Sequence, residues 1–266
     1  MRNDWAKYWR APDRRLEVMH AHFEQHVYHR HSHETYSFGV TETGAQAFTC
    51  RGEGRTSAAG MVMALNPDDP HDGQSAVAAG FTYRMIHIGP ELITDQLGDA
   101  SERPAGLPLF TQPVLEDPVL ANALRTLDTA LQGESRLAQD EALAATVRAL
   151  VRRGSTRPLR TRELPGEVSR AREILEASFA EDMRAEDLAA AAGCSRFALH
   201  RGFVAAYGMA PSDYQRQLRL RAARRLLADG HTPAQAAAAA GFADQSHLTR
   251  WFKRYYGVTP GRFQRP

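Results

Sequence analysis

The stretch that decides the fold is GFADQSHLTRWFKRYYG, running from Gly241 to Gly257. Read at about 100° per residue, it puts Leu248, Trp251, Phe252 and Tyr255 on one side. Ser246, Thr249, Arg250 and Lys253 fall on the other. It is an amphipathic helix bounded by glycines. Before it, the Ala-rich run Pro233–Ala240 reads as a shorter helix ending at Gly241. Glycine at such a turn avoids the Cβ clash of a left-handed residue. Helix, glycine turn, helix is the helix-turn-helix pattern.

Forty-nine residues upstream the pattern recurs. Leu199 aligns with Leu248, Arg201 with Arg250, Phe203 with Phe252, Tyr207 with Tyr256, Gly208 with Gly257 and Pro211 with Pro260. Such repetition marks one unit used twice. A short helix, Glu186–Ala192, ends at Gly193, and a second follows over Ser195–Tyr207 with Ser195 placed as its N-cap. Leu199, Gly202, Phe203 and Ala206 share the core side of that second helix; Phe197, His200, Arg201 and Val204 lie opposite.

A polar or basic face near a helix N-terminus suits the major groove, where side chains reach base edges and phosphates. The residues expected to touch DNA are Ser195, Arg196, Phe197, His200 and Arg201 in the first copy, and Gln245, Ser246, Thr249, Arg250 and Lys253 in the second. Between the copies, Pro211–Asp229 reads as one helix of roughly 28 Å at 1.5 Å per residue. It would hold two readers about one turn of duplex, roughly 34 Å, apart. Its Arg216, Arg219, Arg221, Arg224 and Arg225 read either as phosphate contacts or as a solvated face.

The charge balance agrees. Residues 1–150 hold 13 Lys+Arg against 20 Asp+Glu, whereas residues 151–266 hold 20 against 11, so a near-neutral chain of net charge +2 hides a basic half suited to a polyanion. No apolar run approaches the roughly 18 residues of a membrane span. The start, Met1 to Arg15, lacks the apolar core of a secretory signal. Cys50 and Cys194 are the only cysteines, which implies a reducing compartment and no disulfide framework. A cytoplasmic location is expected.

The run Gly241-Phe242-Ala243-Asp244-Gln245-Ser246-His247-Leu248-Thr249-Arg250-Trp251-Phe252-Lys253, followed by Gly257-Val258-Thr259-Pro260, closely resembles the signature of AraC/XylS-type regulators. Ser195 to Pro211 is similar to the less constrained half of that domain. The resemblance covers about residues 167–264. It implies seven helices, two reading helices on a long linker helix, double-stranded DNA and RNA polymerase as partners, and transcriptional activation. Ala236–Ala240 departs from it, setting alanines where such proteins carry a bulky aliphatic, and predicts a loosely packed second unit.

The N-terminal part up to about Ile88 reads as strands. Tyr36–Val40, Gln46–Cys50, Met61–Leu65 and Phe81–Ile88 are rich in aromatic and β-branched residues, with turn material between them. A barrel or sandwich follows. Leu120, Leu124, Leu127 and Leu131, then Leu143, Val147 and Leu150, form two helical stripes around Gly133-Glu134-Ser135, an αα-hairpin. Arg153–Gly166 has linker composition. The fold class expected is α+β in two domains: a β-barrel with an αα-hairpin over 1–155, a linker over 156–166, and an all-α double helix-turn-helix over 167–266.

His31-Ser32-His33, Tyr36–Val40, Gly60 and Asn66-Pro67-Asp68-Asp69-Pro70-His71 resemble the cupin-like effector domain often fused to such DNA-binding domains. The resemblance implies a small-molecule effector, with His31, His33, Tyr36, Phe38, His71, Tyr83, His87 and Trp9 as its expected contacts. Trp5, Tyr8 and Trp9 resemble an arm that folds over bound effector. The leucine stripes either close the barrel or, as in the family, pair helices in a homodimer. Metal-holding cupins add a glutamate a few residues after the HxH pair. Here Glu34 follows His33 directly and points elsewhere. Three imidazoles can suffice for Zn²⁺, yet structural or effector-contacting histidines are the reading adopted, with no metal or other cofactor. The rival reading is a metal-dependent cupin enzyme on a DNA-binding tail; a regulator without enzymatic activity is preferred.

Overall fold

The computed structural model describes residues 4–11, 15–98, 107–133, 135–155, 157–158 and 166–265. Two compact units emerge. One comprises Met1–Val27 and Ser32–Arg160; the other comprises Thr161–Pro266 with the short segment Tyr28–His31.

The strands are β1 (Trp5–Ala11), β2 (Leu16–Phe23), β3 (Tyr28–His31), β4 (Tyr36–Cys50), β5 (Glu53–Ala58), β6 (Val62–Leu65), β7 (His71–Ser75) and β8 (Phe81–Ile88). Helix α1 (Pro90–Gly98), the short strands β9 (Pro108–Leu109) and β10 (Val114–Leu115), and helices α2 (Pro118–Leu131) and α3 (Arg136–Gly154) follow. Among the described residues the main sheet runs β1-β2-β8-β4-β6-β10, with β5 and β7 also paired to β4. The stretches Tyr36–Val40 and Gln46–Cys50 are the two ends of one strand. β4 is 15 residues long, and a register shift between Thr41 and Thr43 lets its first part pair with β6 and β8 and its second with β5 and β7. A bulge of this kind bends a strand and turns a sheet toward closure.

Register decides which side chains meet. Ser37 lies opposite His87 and Phe38 opposite Ile86. Tyr36, Phe38, Val40, Ile86 and Ile88 therefore share one face, and the leucines of α2 and α3 pack onto it as a single core. Each fully buried side chain of this size contributes about 1.5–3 kcal/mol. The opposite face carries Phe81, Tyr83, Met85 and His87 on β8, all buried. Phe23 on β2 meets Phe81 and Tyr83 there, with ring centroids 6.1 and 6.3 Å apart. The αα-hairpin is seated by ions as well as leucines. Arg125 on α2 grips Glu42 with its Nη2 2.8 Å from Oε2, and Arg84 on β8 pairs with the wholly buried Asp128 of α2.

The segment Trp5–Ala11 is not a separate arm. It is strand β1, paired with β2 along its whole length from Trp5 opposite His22 to Ala11 opposite Leu16. Its alternation is blurred by Lys7 and Arg10, as befits an edge strand that keeps charge at its rim. Of the expected linker, Arg157–Pro158 forms β11 against β9; apart from Gly166, the rest lies outside the described residues.

The second unit contains α4 (Gly166–Ala177), α5 (Ala185–Ala192), α6 (Arg196–Tyr207), α7 (Pro211–Ala228), α8 (Pro233–Ala239), α9 (Gln245–Tyr256) and α10 (Pro260–Phe263). Among the described residues these are the seven helices expected. Turn glycines Gly193 and Gly241 sit at φ 80° and 76°, and Gly208 and Gly257 close α6 and α9 at 67° and 73°. Loose packing of the second helix-turn-helix is not observed: Ala236, Ala237 and Ala240 are almost wholly buried, as is Phe242. No helix among the described residues is long and apolar enough to cross a membrane.

Candidate nucleic-acid interface and ligand site

Both second helices start at a side-chain cap. Ser195 Oγ accepts from the backbone N–H of Ala198 at 3.2 Å, and Asp244 Oδ1 accepts from that of His247 at 2.6 Å. Caps of this kind stabilise by about 1 kcal/mol and fix where the reading face begins. On α6, His200 and Arg201 are exposed while Leu199 and Phe203 are buried. On α9, Gln245, Ser246, Arg250 and Lys253 are exposed and Thr249 is half-buried, above a floor of Leu248 and Phe252. Arg196 is exposed but pairs with Glu186 of α5, so part of its charge is spent locally. The side chain of Phe197 lies outside the described residues.

The linker-helix arginines divide in a way the sequence did not. Arg219 donates from Nε to the Phe179 carbonyl at 2.7 Å and from Nη2 to that of Glu181 at 2.7 Å, tying α7 to the turn after α4. Arg216 pairs with Asp213 and lies 3.9 Å over the Trp251 ring. Arg224 lies over Tyr256 and Phe263. These three act inside the unit. Arg225 is exposed and Arg221 half-buried.

In the barrel the structure gathers part of the expected ligand set and separates the rest. His31 ends β3, His33 follows it, His71 opens β7 and His87 sits near the end of β8. The His33 ring centroid is 5.2 Å from that of His71 and 4.6 Å from that of His87. His87 Nδ1 meets Ser37 Oγ at 2.9 Å. Burial, and secondarily the neighbouring His71, push its pKa down to about 4, so its ring is neutral at neutral pH. Tyr83 shares the face of His87, four residues further from its end, and its hydroxyl is 4.0 Å from Met19 Sδ. Tyr36 and Phe38 are on the other face, stacked with ring centroids 5.8 Å apart and capped by Phe110. The Tyr36 hydroxyl donates to Pro108 O at 2.7 Å, and burial raises its pKa. Trp9 packs against that same hairpin core.

Two polar residues near the histidines had escaped the sequence reading. Ser37 was hidden among hydrophobics, and only the pairing with His87 gives it a partner. Glu17 stands opposite His87 in the β2–β8 register and binds Arg10 at 2.9 Å; a carboxylate so distant in sequence from the HxH pair offers no spacing signal.

A barrel that buries polar residues on its inner face, joined in one chain to two capped, glycine-turned reading helices, defines a ligand-binding transcription regulator. Residues 15–151 match the AraC-like ligand binding domain and residues 188–266 match a helix-turn-helix domain. The chain belongs to the AraC family of transcription regulators, with a ligand-binding domain and a helix-turn-helix DNA-binding domain. It is 29% identical over 221 residues to the HTH-type transcriptional regulator YbfI of Bacillus subtilis (strain 168), covering 82% of this chain and 80% of that one. It is 35% identical over 101 residues to the transcriptional activator NphR of a Rhodococcus species, 37% of this chain and 30% of that protein. In fold it is similar to apo ToxT from Vibrio cholerae strain SCE256, at TM-score 0.65 and 13% identity over 96% of this chain and 98% of that one. Unsaturated fatty acid bound wild-type ToxT from the same strain matches at TM-score 0.58 and 12% identity over 99% and 96%.

Proposed function

We propose that α6 and α9 are the two readers of a specific operator, carried on α7, and that the histidine-lined inner face of the barrel receives the effector. The observation that carries this reading is the pair of 12-residue helices, each capped at its start, each with Arg201 or Arg250 exposed at the same repeat position. The 18 residues of α7 span about 27 Å at 1.5 Å each, a strut suited to successive major grooves. Residues 1–155 then serve as effector-binding and dimerisation domain, 156–166 as linker and 167–266 as DNA-binding domain. Effector binding shifts the population of a state able to occupy the operator and engage RNA polymerase. Activation is the proposed sign, supported by the likeness to an activator over 101 residues. The polar end of a small molecule faces His33, His71 and His87, and its apolar body faces Phe23, Phe81 and Tyr83; a fatty acid of the kind bound by ToxT is one molecule of this build. A homodimer through α2 and α3, a cytoplasmic location and no enzymatic role complete the proposal.

Selecting bound genomic fragments gives the operator, and gel-shift titration then tests the readers. Arg250→Ala and Arg201→Ala each cost about 1–3 kcal/mol at the operator and much less on random DNA if they pair with base edges. Equal losses on both DNAs would mark them as phosphate contacts and sink their role as readers.

A further inference from the structure

We propose that Val204 is a specificity-determining residue of the first reader, its side chain taking the C5-methyl of one thymine in the operator's major groove. The proposal rests on α6 being a reader and adds the kind of base that this reader selects.

Val204 lies on the face of α6 that carries His200 and Arg201. At about 100° and 1.5 Å per residue it falls between them around the helix, about 6 Å beyond His200 and about 4.5 Å beyond Arg201 along the axis. Val204 is 43% exposed, and among the described side chains of the DNA-binding unit it is the one large hydrophobic left so open. Leu199 and Phe203 on the core side are almost wholly buried, so α6 has its core without it.

The repeat sharpens the observation. At the offset of 49 residues, Val204 and Ala205 correspond to Lys253 and Arg254 of α9, and all four are exposed. Both readers are 12 residues long and both follow a capping residue directly, so the two pairs occupy the same turn. There the second reader offers two cations and the first offers two apolar side chains.

A lysine or arginine in that turn can hold a phosphate or a base-edge acceptor. Valine has neither charge nor donor, and set against a phosphate it would strip water from an anion and return nothing. Along the major groove the base edges present donors, acceptors and one apolar group, the methyl of thymine. An exposed valine on a reading face complements that group. In a helix its β-branched side chain keeps almost entirely to one χ1 rotamer, so its methyls are presented with little freedom left to lose. Bases follow one another at about 3.4 Å along each strand. The thymine should therefore lie one or two base pairs from the pair that Arg201 reads.

The test uses the full chain and the operator duplex recovered from the genome. The base pair at which Arg201→Ala relaxes preference locates the first reader. Each thymine within two base pairs of it is then replaced in turn by deoxyuridine, which lacks only the methyl. In gel shifts one such replacement should weaken the parent chain about 4-fold, the loss of one buried methyl group. For Val204→Ala the same replacement should change affinity by less than about 2-fold, because the methyl's partner is already gone. Alanine is the better helix former, so this exposed variant keeps its fold. Val204→Lys gives the first reader the second one's residue. It should tighten operator and random DNA alike, steepen log K against log salt by about 0.9, and abolish the uracil effect.

No thymine there whose methyl matters to the parent, or a methyl effect of the same size in Val204→Ala, overturns the assignment. If Arg201→Ala still discriminates against the operator in that case, α6 remains a reader and the role of Val204 alone falls. Equal losses by Arg201→Ala on operator and random DNA would instead remove the reader, and Val204 with it.

Discussion

The two helix-turn-helix units reach the same outline with different materials. In the first, Leu188, Ala189 and Ala192 of α5 are buried; a shift of 48 residues puts Ala236, Ala237 and Ala240 at the same places in the second. The aliphatic missing at Ala236 is matched by a buried ring in the turn, because Phe242 stands where the first unit has the half-buried Cys194. The second turn is also one residue longer, Ala243 standing before the Asp244 cap, so the two reading helices align at 49. On the reading helices the contrast reverses. Gly202 of α6 corresponds to Trp251 of α9. A Cβ on Gly202 would come 2.6 Å from Val168 Cγ2, so helix α4 occupies the space that the second unit fills with its own indole. Trp251 in turn donates from its indole N–H to His247 Nε2 at 3.0 Å and lies under Arg216. One reader is backed by a neighbouring helix, the other by its own aromatic residues. A helix-turn-helix needs a filled volume behind its reader, and the residue that fills it is free to vary.

The sharpest way to break this equivalence is at the turn glycines. A Cβ on Gly241 would overlap the Ala180 carbonyl oxygen, whereas one on Gly193 would meet only the far end of Arg170 at 3.4 Å. Both carry positive φ, so alanine costs about 1–2 kcal/mol at Gly193. At Gly241 the backbone overlap raises this to about 3–5 kcal/mol. Urea melts of the two variants measure the difference, and equal losses would mean that Ala180 yields freely. A smaller effect is expected at Gly202→Ala, about 1–3 kcal/mol from crowding Val168. Val168→Ala in the same chain should recover part of it, and a double-mutant cycle without coupling would remove α4 as the backing element. Smallest are the caps. Ser195→Ala and Asp244→Ala should each cost about 1 kcal/mol, read by the same melts; a cap variant that leaves stability unchanged would show its helix start to be held by packing alone.

The second unit was legible because its information is local. Periodicity, glycines and a repeat place α5 through α9 within a residue or two, and exposure agrees with the expected faces of α6 and α9. The barrel stores its information in pairings. Phe81, Tyr83, Met85 and His87 were recognisable as one face of β8, but which face turned inward depended on Ser37 lying opposite His87, 50 residues away. Tyr36 and Phe38 were expected beside the histidines only from the resemblance; a one-residue step from Ser37 places them on the other side. β1, β2, β5 and β7 carry charged, small or histidine residues that mute the alternating signal, and α1 follows β8 with no strong start beyond Pro90. The arginines of α7 misled for a related reason: a charged side chain on a helix reads as solvent-facing until a carbonyl such as Phe179 O or a ring such as Trp251 is known to lie beneath it.

Those inward-turned arginines alter what an ionic-strength titration will count. Each phosphate neutralised by protein releases condensed cations, giving a slope in log K against log salt of about −0.9 per contact. Arg219, bonded to the carbonyls of Phe179 and Glu181, and Arg170, bonded to Ala192 O at 2.8 Å, have already exchanged their hydration for backbone oxygen. On the proposed reading they bring no cations off the duplex, and the expected salt slope counts fewer contacts than the tally of basic residues in the C-terminal half.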